Sequence, residues 1–349
     1  MFFASDNWAG AHPTIAASLS TYAGGYAAAY GASDLDRRVE TLFNEIFERE
    51  VAVFFVGTGT AANALALAAV NRPGGVCFCH AHAHLIEDEC GAPEFLSPMA
   101  RLRPVAGEGG RMDIAALTHA IAEFSPGNVH GGRAMAVSIT QSTELGTLYA
   151  LDEIEAVSAV AQRHGLPLHM DGARFANALA ALDCSPAEMT WKRGVDLLSF
   201  GGTKNGCWCA EALVFFEPER AQDFPYLRKR AAQLFSKTRF VAAQFEAYFA
   251  DGLWLESAAH ANAMTARLAE AFRGSNAARL AWEPQANEVF AVLPHETTRR
   301  LQAAGAVFYD WKPPAGWNGL SEGEGLFRFV TSFATTAEDV ERFAEALRG

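Results

Sequence analysis

The chain has 349 residues, of which 50% are hydrophobic and 19% charged, with a formal net charge of -12. That balance excludes a nucleic-acid scaffold, which needs clustered Lys and Arg, and the length suggests one large or two moderate globular domains. No stretch reads as membrane-spanning: the longest apolar run, Ala64 to Val70, is too short to cross a bilayer.

Met1 to Gly10 contains Asp6 and Asn7 and has no basic region ahead of an apolar stretch, so no signal peptide is read and a cytoplasmic protein is expected. The six cysteines include the close pairs Cys77/Cys79 and Cys207/Cys209. In a large chain without a secretion signal these read as reduced thiols.

In chain order, Asp34 to Glu50 places Leu35, Val39, Leu42, Phe43, Ile46 and Phe47 on one helical stripe. Val51 to Val56 reads as a buried strand, Gly57 to Gly59 breaks it, and Thr60 to Val70 reads as a helix. Gly75 to Cys79 and Ala134 to Ile139 are expected strands. Leu151 to Arg163 is an expected helix, with Asp152 and Glu153 in its first turn and Gly165 as a stop. Leu166 to Met170, Val195 to Phe200 and Ala212 to Phe216 follow as strands. Strands alternating with helices predict a mostly parallel sheet flanked by helices.

After Tyr226 the pattern is mainly helical to about Arg273; Glu288 to Leu293, Val307 to Asp310 and Leu326 to Val330 then read as short strands. Thr335 and Glu338 have capping-box spacing and open a final helix to Leu347. The division expected is an N-terminal arm and large α/β domain over 1–245 and a smaller α+β domain over 246–349.

Five features could carry chemistry. Gly57-Thr58-Gly59-Thr60 joins a strand to a helix; it is either an ordinary turn or an anion site built from free N–H groups at a helix start. Asp171 follows an expected strand, where open α/β sheets bind ligands. It reads as a helix cap or as the carboxylate that pairs with a protonated pyridine nitrogen.

Lys204 follows the strand Val195 to Phe200 and the turn Gly201-Gly202-Thr203. Partial withdrawal from water there would favour the neutral amine needed for Schiff-base formation. Arg174 and Arg328 could clamp a substrate carboxylate; Arg328, flanked by Phe327 and Phe329, reads equally as an edge position reaching water. Finally, alternation in an extended Cys77 to His84 segment would put His80, His82 and His84 on one face. The run lacks the usual zinc spacings, so one ring-stacking histidine is the simpler reading and no metal is expected.

Together, Gly59 to Asn63, Ala83-His84, His169 to Arg174 and Ser199 to Gly206 resemble the low-specificity L-threonine aldolases, pyridoxal-phosphate (PLP) enzymes of the aspartate-aminotransferase-like fold. The likeness runs from Ser5-Asp6 to the closing helix. It implies that Lys204 carries the cofactor as a Schiff base and that Asp171 pairs with its ring nitrogen. His84 would stack on the ring and serve the substrate hydroxyl, while Gly59 and Thr60 would hold the phosphate. Ser5, Arg174 and Arg328 would bind the amino-acid carboxylate, and Arg239 would reach a neighbouring subunit's phosphate.

The activity implied is retro-aldol cleavage of L-threonine, L-allo-threonine and related β-hydroxy-α-amino acids such as phenylserine to glycine and an aldehyde. The same machinery could instead run β-elimination or another PLP amino-acid reaction. The assembly implied is a homodimer or homotetramer with active sites at the subunit interface. Two segments depart from the family pattern: Thr140 to Thr143 puts a threonine where members often carry a histidine, and Ala32-Ser33 replaces acidic residues after Tyr30-Gly31.

Overall fold

The computed structural model describes residues 1–124 and 129–349. The central sheet comprises β1 (Ala52–Val56), β2 (Gly75–His80), β3 (Arg101–Val105), β4 (Arg133–Thr140), β5 (Leu168–Gly172), β6 (Leu197–Gly201) and β7 (Glu211–Phe215). Their spatial order is β1-β7-β6-β5-β4-β2-β3. From β6 to β3 all pairings are parallel, whereas β7 runs antiparallel to both β6 and β1.

Continuous apolar runs form these strands because both faces are covered. On β7, Leu213 and Phe215 pack with Ala61, Leu65 and Phe224 on one side. Ala212 and Val214 pack with Phe43, Phe200 and Phe245 on the other. The fold is the expected α/β architecture with a mostly parallel sheet. β3 had no clear sequence signal: it is an edge strand, largely exposed, and includes Pro104, which an edge tolerates.

A second sheet holds β8 (Arg279–Leu280), β9 (Glu288–Pro294), β10 (Tyr309–Asp310) and β11 (Glu324–Val330), ordered β10-β11-β9-β8 and antiparallel. Val289, Ala291, Leu293, Phe327 and Phe329 pack with Leu268, Phe272 and Phe343 of the covering helices. The opposite face carries Phe290, Val292 and Leu326 with Trp282, Trp311 and Trp317. Trp282 donates its ring N–H to the Leu145 carbonyl of the large domain at 2.9 Å, so this face looks inward across the domain junction.

The expected boundary at 245/246 falls inside the helix Arg239–Phe249. Tyr248, Trp254 and Ala258 still pack in the large core, while Met264, Leu268 and Phe272 join the small one. The helix Leu253–Arg273 therefore crosses between domains. Met1 and Phe3 pack in the small-domain core, not the large one. The closing helix is Ala337–Arg348, and its capping box is Thr336 with Asp339, one position later than the predicted Thr335 and Glu338. Among the described residues, no helix is long and apolar enough to cross a membrane.

Candidate active site

Three strand ends and one helix start meet in a cleft of about 400 Å³, lined among others by Gly57 to Thr60, Asn63, His84, Asp171, Lys204, Trp208 and Glu211. Asp171 lies near the end of β5, and Lys204 lies in the short turn after β6. These strands are neighbours, with Asp171 opposite Ser199. Their ends approach so closely that a Cβ at Gly201 would come within 2.6 Å of the Ala173 carbonyl, so only glycine lets the two strand ends sit together.

The helix Gly59–Ala69 begins at the cleft, and the Thr58 hydroxyl accepts from Ala61 N–H at 3.1 Å. Its remaining first-turn N–H groups, with the Thr60 hydroxyl, form a donor set for an anion.

Asp171 is fixed before any ligand arrives. One oxygen accepts from Asn63 Nδ2 at 2.8 Å and the other from Ala173 N–H at 3.0 Å. Behind it His169 is held between the Ser138 and Ser199 hydroxyls, each at 2.9 Å. Burial lowers the His169 pKa to about 4, so this clip across three strands is neutral.

His84 opens a short helix after β2. Glu89 lies 2.9 Å from its Nδ1 and accepts a hydrogen bond from Asn63 at 2.8 Å. The carboxylate thereby fixes Nδ1–H and leaves Nε2 as the basic nitrogen. Burial opposes the charged ring, but the Glu89 bond, with Glu144 and Asp171 nearby, holds the His84 pKa above its ordinary value.

The three histidines do not share a strand face, because β2 ends at His80. His80 contacts the Gly107 carbonyl and His82 contacts Glu87. No group of three or more potential metal ligands occurs among the described residues.

Glu211, at the start of β7, adds a buried carboxyl beside Lys204 that sequence reasoning missed. It accepts from Thr203 N–H at 3.3 Å. Burial raises its pKa to about 7, against the pull of Thr203 and Lys204.

The carboxylate-binding candidates are arranged differently from the expectation. Ser5 caps Asn7 N–H at 3.1 Å and faces a surface pocket with Phe2, Trp8 and Thr335; Asn7 lines the Lys204 cleft instead. Arg174 is buried and already engaged: Nε and Nη2 donate to the two Asp6 oxygens at 2.7 and 3.1 Å. Its Nη2 also lies 3.3 Å from Glu288. Arg328 lies 3.6 Å from that same Glu288 oxygen, with its guanidinium over the Trp311 ring.

Neither arginine is among the residues lining the Lys204 cleft, although Ala173, next to Arg174 in sequence, is. Arg239 does not line this cleft; it lines a separate surface pocket with Tyr26 and Arg38. Thr143 is buried and ties its loop together, donating to the Gly109 carbonyl at 3.2 Å and accepting from Thr147 N–H.

A lysine, a fixed carboxylate, an oriented histidine and a helix start, all at the strand ends of a mostly parallel sheet, define an α/β enzyme working on a small ligand. The chain belongs to the beta-eliminating lyase family, whose model matches residues 3–295, and within it to the low specificity L-threonine aldolases. It is 41% identical to the low specificity L-threonine aldolase of Pseudomonas aeruginosa over 99% of this chain and 96% of that protein. It is 39% identical to that of a Pseudomonas species with the same coverage. A solved threonine aldolase from Leishmania major superposes with a TM-score of 0.92 at 29% identity, covering 99% of this chain and 98% of the other.

Proposed function

We propose that this lyase cleaves L-threonine, L-allo-threonine and related β-hydroxy-α-amino acids to glycine and an aldehyde, using PLP carried by Lys204. The observation that carries the reading is the single cleft uniting Lys204, Asp171, His84 and the Gly59–Ala69 helix start. Its donor set suits a group with a phosphate at one end, a protonated ring nitrogen at the other and a carbonyl toward Lys204. Gly59 and Thr60 would hold the phosphate, Asp171 the ring nitrogen, and His84 would lie against the ring. When bound, the cofactor supplies a sink for the electrons of the breaking Cα–Cβ bond.

The chain's own residues do the rest. Arg174 and Arg328 orient the α-carboxylate, which holds the scissile bond in one direction. His84 Nε2 takes the proton of the β-hydroxyl, with Glu89 stabilising the charge that develops on the ring. Thr143 has no part in proton transfer, because its hydroxyl is committed to the backbone. The enzyme acts as a homodimer or homotetramer in which Arg239 reaches the partner's phosphate, consistent with its absence from the cleft lining of its own chain.

Purified protein supplied with PLP should release glycine and acetaldehyde from both threonine diastereomers. An oxo acid and ammonia in their place would make it a β-eliminating enzyme. The variant Lys204→Ala should lose cofactor-derived visible absorbance and turnover together; retained turnover would overturn the assignment of Lys204.

A further inference from the structure

Glu288 lies between the two arginines. It is the first residue of β9, and Arg328 pairs with Phe290 two residues on, which makes Glu288 and Arg328 diagonal neighbours on one sheet face. A single oxygen, Oε1, lies 3.3 Å from Arg174 Nη2 and 3.6 Å from Arg328 Nη1. The side chain is fully buried, yet neither of its oxygens, nor Arg328 Nε, has a hydrogen-bond partner among the described residues.

Asp6, on the other side of Arg174, differs: it accepts from Arg174 twice and from Asn287 at 3.1 Å. Asp6 is thus a satisfied structural partner. Glu288 is held by charge alone, and a buried carboxylate without hydrogen bonds is costly.

The proposal rests on the reading of Arg174 and Arg328 as the carboxylate subsite. We propose that Glu288 gates that subsite: a substrate α-carboxylate binds between Arg174 and Arg328 only as Glu288 takes up a proton. The charges facing Glu288 are Arg174 after β5, Arg328 on β11, Asp6 on the N-terminal arm and Glu144 after β4. The three carboxylates Asp6, Glu144 and Glu288 already outnumber Arg174 and Arg328, so an incoming carboxylate adds a further uncompensated negative charge in a buried place.

Gly146 packs against the root of the Glu288 side chain: a methyl there would come within 3.1 Å of its Cβ. Protonation relieves the clash without moving the side chain, with the proton drawn from solvent onto a Glu288 oxygen, as for any two carboxyls forced to share one site. Burial already pushes the Glu288 carboxyl up against the pull of Arg174 and Arg328.

The probe is glycolate, which carries the carboxylate but has no amine to react with the cofactor. Its binding to the PLP-loaded enzyme is followed by titration calorimetry in buffers of different ionisation enthalpy. The wild type should take up close to one proton per glycolate. Glu288→Gln should take up none and bind about a hundred- to a thousandfold more tightly, the effect of removing one unit charge about 4–6 Å away at an effective dielectric near 20. The KM for threonine should fall in parallel.

Unchanged or weaker glycolate binding by the variant would show that Glu288 merely supports the arginines, and would overturn the proposal. So would binding to the wild type without proton uptake, a result that stands even if the variant does not fold. Glycolate that binds neither protein while threonine is cleaved also overturns it. Absence of both glycolate binding and threonine cleavage would instead sink the functional reading beneath it.

Discussion

Asp6→Asn tests how the N-terminal arm is fastened to the large domain. The substitution keeps the shape of the side chain but removes its charge. Arg174 would lose a bidentate charged partner at 2.7 and 3.1 Å and be left buried beside the non-hydrogen-bonded Glu288, with Glu144 further off. Removing one member of a buried pair costs about 3–5 kcal/mol, because the surviving charge is stranded.

For a chain of this size that corresponds to a fall in Tm of roughly 4–7 °C, read by thermal and urea denaturation near neutral pH. The acid dependence is a second signature. Burial works against ionised Asp6, but Arg174, with Lys204 and Asn287, holds its carboxyl below the ordinary 3.8. A depressed folded-state pKa gives stability that is complete above 3.8 and is lost as pH falls through the lower folded value. The gap between wild type and variant should therefore close in strong acid. A loss under about 1 kcal/mol, or a gap that persists unchanged in acid, would refute the view that this ion pair anchors the arm.

Glu89→Gln should cut kcat by about tenfold or more and lower the His84 pKa, moving the acid limb of the pH–rate profile to lower pH; NMR titration of His84 checks the cause. For Glu211 the folded pKa of about 7 stands above the ordinary 4.5. The folded state then holds a proton that the unfolded state has lost, so stability should fall as pH rises from 4.5 to about 7, by up to about 3 kcal/mol. Urea denaturation of Glu211→Gln across that range should show the slope gone.

The large domain was legible because its strands are buried on both faces, so Val51 to Val56 and Val195 to Phe200 stand out as apolar runs. β3 was not, since an exposed edge strand reading Arg-Leu-Arg-Pro-Val carries no such pattern. The last helix shows a frame ambiguity: Thr335/Glu338 and Thr336/Asp339 satisfy the same spacing, and only packing selects the second.

Lys204, Asp171, His84 and the Gly59–Thr60 turn converge because each follows or opens a strand or helix of one sheet edge. Glu89 could have been found, five residues past His84 on the next turn of chain. Asp6 and Glu288 could not: their meaning comes from Arg174, 168 residues from Asp6 in sequence, and no local pattern encodes that encounter. The same holds for the partners of Arg174, which the sequence offers only as a carboxylate clamp and the fold sets between Asp6 and Glu288.

The lone antiparallel strand has a consequence for the order in which the molecule is made. Among the named strands β1 pairs with β7 alone, so the earliest strand of the sheet to leave the ribosome must wait, unpaired, through the synthesis of some 150 residues until Phe215 has emerged. Domains form as their segments appear, but here the turn at Gly57–Thr60 cannot be set against Lys204 until β7 bridges them. The nascent chain thus passes β2 to β6 with an apolar strand in search of a partner, a window that closes before the cofactor cleft can exist.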